Sequence, residues 1–137
     1  MVNGSAQHHT LYQASPAPPQ NDEDVIPFSV QPGVQYILET FNLTNGADTL
    51  LTLTDTNGTP LTGLQNDNRN GRNSQSCGAD PFTGESNCPD NDQTALSSSI
   101  TWTAGSTATL QAHVRRSPNA PPSAGLFGSY DIRLKSP

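Results

Sequence analysis

The residues best suited to chemistry are oxygen-bearing side chains gathered in two short runs. Asn21, Asp22, Glu23 and Asp24 are consecutive, and Asp90-Asn91-Asp92 follows Asp80 in a later polar stretch. Calcium takes six to eight oxygen ligands, so carboxylates and side-chain carbonyls packed this closely are the pattern a calcium site requires. The first cluster gives Asn21, Asp22 and Asp24 as candidate ligands. The second gives Asp90 and Asp92, without the glycine and terminal glutamate of an EF-hand loop. For each run the alternative is a set of solvated loop acids. Cys77 and Cys88 lie in a segment rich in Gly, Asn and Pro, where no core would claim a thiol. Two such thiols read as a disulfide, which would stabilise by roughly 3 kcal/mol in the chain-entropy model. A free thiol pair is the alternative. Zinc needs further Cys or His at ligand spacing, and none stands beside them.

Catalytic constellations are sparse. His8-His9 reads as a solvated pair in the N-terminal tail, and His113 falls on a strand face opposite Leu110 and Val114, an exposed polar position. No G-x-S-x-G elbow, poised Cys–His pair or glycine-rich phosphate loop is present. A non-catalytic protein is expected.

The elements that must position these residues alternate with period two, as strands do. Thr49, Leu51 and Leu53 point one way and Leu50, Thr52 and Thr54 the other, and Asp55-Thr56-Asn57-Gly58 then makes a tight turn. Asp48, Asp55 and Asp67 read as turn caps at strand ends. Val34, Tyr36 and Leu38 share a face, as do Ile100, Trp102 and Ala104, then Ala108, Leu110, Ala112 and Val114, then Tyr130, Ile132 and Leu134. Residues 25–30 and 60–64 supply further strands, Pro27 marking an edge or a bulge. Trp102 is expected in the core. No segment carries a helical period. About eight short strands predict an all-β chain, an antiparallel sandwich or jelly roll, with one long disulfide-restrained loop over residues 66–96. Residues 1–20, with Pro16, Pro18 and Pro19, read as a tail with a possible edge strand at 10–13, and residues 21–137 as the domain.

Composition narrows function further. Twelve acidic against six basic residues give a net charge of −6, which argues against nucleic acid, since phosphate binding needs a basic face. No stretch approaches the ~20 apolar residues of a membrane-spanning helix. The cysteine pair points to an oxidising, extracellular setting. The start, MVNGSAQHHTLYQ, lacks the charged beginning and apolar middle of a signal peptide. Either secretion is specified elsewhere or Met1 was added to a mature fragment.

Several motifs fall in an order that resembles the bacterial pre-peptidase C-terminal domain family. These are β-sandwiches appended to secreted peptidases and other exported proteins, and they include the collagen-binding domains of clostridial collagenases. Asp24-Val25-Ile26-Pro27-Phe28 is similar to the family's opening strand, and Pro32-Gly33-Val34-Gln35-Tyr36-Ile37 to its second. Ala47-Asp48-Thr49-Leu50-Leu51-Thr52-Leu53 with Asp55 and Gly58 is similar to its most specific motif. Asn66-Asp67-Asn68, the strand at 99–104 and Gly128-Ser129-Tyr130 follow in order. Two departures are the long segment at 68–96 and Leu110-Gln111-Ala112-His113 where the family has an aromatic pair. The resemblance implies an accessory module that binds an extracellular polymer, protein or polysaccharide, or a neighbouring domain. It also implies calcium near Asp24 and Asn21, although residues 1–20 contain none of the acids that the collagen-binding relatives supply there. The alternative is a structural subunit of an extracellular filament or surface layer, in which the N-terminal segment adds a strand to a neighbour's sheet.

Overall fold

A computed structural model describes residues 6–12, 22–44, 47–66, 97–117 and 127–137. They form eight strands: β1 (Gln7–Tyr12), β2 (Glu23–Val30), β3 (Gln35–Thr44), β4 (Thr49–Thr54), β5 (Pro60–Asn66), β6 (Ser99–Thr103), β7 (Ala108–Arg116) and β8 (Phe127–Lys135). One sheet has the order β1-β8-β3-β6 and the other β2-β7-β4-β5, all neighbours antiparallel. The pairs 1–8, 2–7, 3–6 and 4–5 nest like one long hairpin. Contacts of β3 with β8 and of β4 with β7 wrap that hairpin into two sheets, which is the connectivity of a jelly roll. Edges β1 and β2 therefore lie on one side of the sandwich.

The alternation read from the sequence fills the space between the sheets. Tyr36, Leu38, Ile100, Tyr130, Ile132 and Leu134 from the first sheet meet Ile26, Phe28, Val30, Leu51, Leu53, Ala112 and Val114 from the second. Trp102 is partly buried on this core, edge-on to Phe28 with ring centres 6.1 Å apart and tilted against Tyr36 at 5.5 Å. One end of the core is closed by hydroxyls. Thr40 and Thr49 bond each other through Oγ1 at 2.7 Å, Ser98 N donates to Thr40 Oγ1 at 2.8 Å, and all three residues are fully buried.

Alternation does not make the opposite faces wet throughout. Ile37 and Glu39 face away from Tyr36 and Leu38, yet both have no exposure. Glu39 is bonded by Arg133 Nε and lies 3.0 Å from Lys135 Nζ, so its buried charge is paired. Leu50 is likewise buried on the face opposite Leu51. The turn reading at Asp55 holds: its Oδ1 accepts from Asn57 N at 2.8 Å and Thr59 N at 2.9 Å, and Gly58 has φ of 80°. Asp48, read as a turn cap at a strand end, stands just before β4. It is buried, and its carbonyl accepts from Ser117 N at 2.8 Å. The edge strand expected at 10–13 begins three residues earlier, at Gln7. Asp67, the loop at 67–96 with Cys77, Cys88, Asp80, Asp90 and Asp92, and the Pro-rich crossing at 118–126 lie outside the described residues.

Candidate functional site

The polar side chains converge where β1 and β2 come together at the open edge. Asp24 has the same parity along β2 as Ile26, Phe28 and Val30, so a carboxylate ends an inward row of apolar side chains. Across the gap, Tyr130 on β8 is fully buried and donates its hydroxyl to Asp24 Oδ2 at 2.7 Å. This bond joins the two sheets. His9 is the register partner of Tyr130 and stacks on its ring at 5.5 Å, nearly parallel. His9 Nδ1 also lies 3.9 Å from Asp24 Oδ2, with both side chains about one quarter exposed. Burial raises the Tyr130 phenol far above its ordinary value, reinforced by its bond to Asp24 and by the negative charges of Asp24 and Asp22. The phenol therefore stays a donor and Asp24 its acceptor.

The other face of β1 carries a second polar group. His8 Nδ1 lies 2.7 Å from Asp131 Oδ1, and Asn42 Nδ2 donates to Asp131 Oδ2 at 2.8 Å. Asn42 has a φ of 50°, within the register shift between Phe41 and Thr44, and a left-handed backbone is one that asparagine tolerates better than most residues. The Asn42 amide, then the His8 imidazole, hold the Asp131 carboxyl below its ordinary value. Arg133 follows on β8, 4.5 Å above the Phe41 ring, and binds Glu39. On the second sheet His113 Nδ1 lies 2.9 Å from Glu23 Oε1, a diagonal contact from β7 to the start of β2.

The structure thus brings two of the candidate calcium residues, Asp22 and Asp24, to one edge, while Asn21, Asp90 and Asp92 lie outside the described residues. Among the described residues, no group of three or more His, Cys, Asp or Glu is placed to hold a metal ion. Two carboxylates are short of the six to eight oxygens calcium takes, so backbone carbonyls, Asn21 or solvent would have to supply the rest. One feature suits such a role: a ligating carboxylate is usually oriented by a hydrogen bond, and Tyr130 gives Asp24 one.

His8, His9 and His113, read as solvated or exposed, each stand beside an acid on a strand; His8 is 65 % exposed, in keeping with that reading, whereas His9 and His113 are partly buried. His8 and His9 are neighbours in a strand, so they must point to opposite faces, and each finds a carboxylate there. His113 is only 19 % exposed, and its Nε2 is buried with no hydrogen-bond partner among the described residues. Tyr130 was expected inward, but its role as the link to Asp24 was missed. The signal was available: a buried tyrosine hydroxyl usually has a partner, and Asp24 ends an inward-facing row. No protein-family model matches the chain, and no curated protein is significantly similar to it.

Proposed function

We propose that the chain is a non-catalytic extracellular module that binds a polymer or an adjacent domain, a reading its jelly roll and its motif resemblance to pre-peptidase C-terminal domains both support. The observation that carries it is what the ionisable side chains do. His8, His9 and His113, the residues most apt for acid–base chemistry, are each engaged with a carboxylate across strands at the β1–β2 side of the sandwich. These pairs link strands, and in this reading recognition falls to the loops and outer faces. On the outer face of β2, Val25 is 46 % exposed, between Glu23 and Pro27, which face the same way. The net charge of −6 and the Cys77–Cys88 pair accord with an extracellular setting. Calcium, held by Asp22 and Asp24 with Asn21, belongs to the same proposal as a brace at this edge.

Depletion of the protein from solution by insoluble collagen, chitin or cellulose tests the reading. Retention on one matrix and not the others is the expected result, and no retention on any of them removes polymer binding. The filament or surface-layer reading draws on a separate observation: the N-terminal strand such a subunit would lend is here an edge strand, β1, bonded to one neighbour.

A further inference from the structure

We propose that Asn57, in the turn between β4 and β5, is an acceptor for an N-linked sugar in the folded chain, and that Asn42, which carries the same sequence signal, is not. The inference rests on the extracellular setting proposed above, where such transfer takes place, and not on what the module binds. Asn42-Leu43-Thr44 and Asn57-Gly58-Thr59 both fit the acceptor sequence for this modification, Asn-x-Ser/Thr with no proline between. Asn3-Gly4-Ser5 fits as well and lies outside the described residues. So short a pattern recurs by chance in a chain rich in Asn and Thr, and what separates the sites is their geometry. In the transfer, the asparagine Nδ2 attacks the anomeric carbon of a lipid diphosphate-linked oligosaccharide. The carbon–nitrogen bond forms as the carbon–oxygen bond to the diphosphate breaks. The lipid diphosphate leaves with the electron pair, and one Nδ2 proton passes to a base of the transferase. The acceptor must therefore present a free carboxamide and, two residues on, a free hydroxyl.

Both asparagines are exposed, so exposure does not choose between them. Their partners do. Asn42 Nδ2, the atom that would take the sugar, donates to the Asp131 carboxylate at 2.8 Å. Thr44 Oγ1 accepts from Ser129 N at 3.3 Å and also bonds Ser129 Oγ, so the hydroxyl is engaged too. Both residues belong to β3, which pairs with β8 at Thr44↔Ser129, and they cannot lift from the sheet without breaking that pairing. At Asn57 the bonds are made by the main chain instead. Asp55 Oδ1 accepts from Asn57 N and Thr59 N, and Gly58 N donates to the Asp55 carbonyl at 3.1 Å. These bonds hold the turn and leave the Asn57 carboxamide and the Thr59 hydroxyl without a partner among the described residues. Residues 56–60 are all exposed, and a Cβ at Gly58 would meet nothing within 4 Å, so the space over the turn is open to a transferase cleft. The register sets this site apart from the candidate calcium edge. Thr54 is level with Gln111 and so with Pro27, and the turn lies beyond it, whereas Asp24 stands toward the other end of β2, on the opposite edge of that sheet. A sugar on Asn57 is thus attached far from Asp22 and Asp24.

The test offers the folded full-length chain to a purified oligosaccharyltransferase with a lipid diphosphate-linked oligosaccharide. The enzyme is one that modifies the free peptides of residues 38–48 and 53–61, so both sequences are acceptors when unfolded. Proteolysis and mass mapping then read occupancy at each asparagine separately, Asn3 included. Transfer to Asn57 is expected, with Asn42 modified more slowly by about tenfold or more, the factor set by giving up a hydrogen bond to a charged group. Asn57→Gln should abolish the product at this turn. A folded chain that stays unmodified at Asn57, or one modified equally at Asn42 and Asn57, overturns the proposal. The assay needs neither export nor a polymer. A chain that stays inside the cell, or that no matrix retains, therefore fails the reading above and still passes here, whereas loss of transfer removes this site alone.

Discussion

Replacing Tyr130 by Phe isolates one bond between the two sheets. The ring, fully buried, is kept, and only the hydroxyl that Asp24 accepts at 2.7 Å is lost. A hydrogen bond to a charged group contributes about 1.5–3 kcal/mol to stability. Asp24 is 23 % exposed, so water recovers part of the loss, and the expected cost is about 2 kcal/mol. For 137 residues, unfolding entropy near 2.1 cal/mol/K per residue converts this to a fall of about 7 °C in Tm. Urea unfolding at pH 7 measures the free energy and calorimetry the midpoint. Alkaline pH gives a second signature. The folded phenol is held above its unfolded value, so its contribution is complete below pH ~10 and is lost as pH rises beyond it, by up to about 1.4 kcal/mol per pH unit. Tyr130→Phe should therefore flatten the decline of stability above pH ~10. A variant within 0.5 kcal/mol of the parent, or an unchanged alkaline slope, refutes the claim that this bond fastens the sheets.

Other substitutions test separate parts of the structure. A Cβ on Gly128 would fall 2.6 Å from Ala47 Cβ, so Gly128→Ala should cost about 2 kcal/mol by urea unfolding, with partial recovery when Ala47→Gly is added. Asp131, held low by Asn42 and His8, contributes above the ordinary carboxylate range and loses its contribution as pH falls through its depressed value. The deficit of Asp131→Asn at pH 7 should therefore shrink toward zero in acid, and a deficit independent of pH contradicts the assignment. Glu39→Gln strips Lys135 and Arg133 of a buried partner; since Arg133 is 43 % exposed and can turn to solvent, a loss of about 2 kcal/mol is expected in the same unfolding assay. Calcium in place of chelator should raise the thermal midpoint, and Asp22→Asn should abolish the rise. An unchanged midpoint disposes of a calcium brace at this edge.

The inner layer was legible because period two is a strong signal when apolar residues keep to one parity, as Tyr130, Ile132 and Leu134 do. Their burial follows directly. Parity also placed Trp102 on the core. It failed for residues whose burial comes from cross-strand neighbours. Glu39 reads as an outward charge until Arg133 and Lys135 are known to stand beside it, and that depends on β3 pairing with β8, strands about ninety residues apart. Thr40 and Thr49 share the inward parity of Leu38 and Leu51, but the partners of their hydroxyls, each other and Ser98, become visible only once the strands are paired. Their bonds to one another cross between strands and satisfy groups that would otherwise be costly to bury. His8 and His9 were placed in a tail because a segment beside a run of prolines resembles one, whereas pairing with the last strand of the chain makes it part of a sheet.

The nested pairing explains why the edge gathers the chemistry. In a jelly roll the first and last strands of the chain must be neighbours, so β1 meets β8, and the next pair inward, β2 and β7, lies in the opposite sheet. β1 and β2, each at an end of its sheet, thus stand at the open side of the sandwich, where the apolar core runs out. Side chains there cannot rely on hydrophobic burial alone, and they are the ones found paired: Asp24 with Tyr130 and His9, Asp131 with His8 and Asn42, Glu23 with His113.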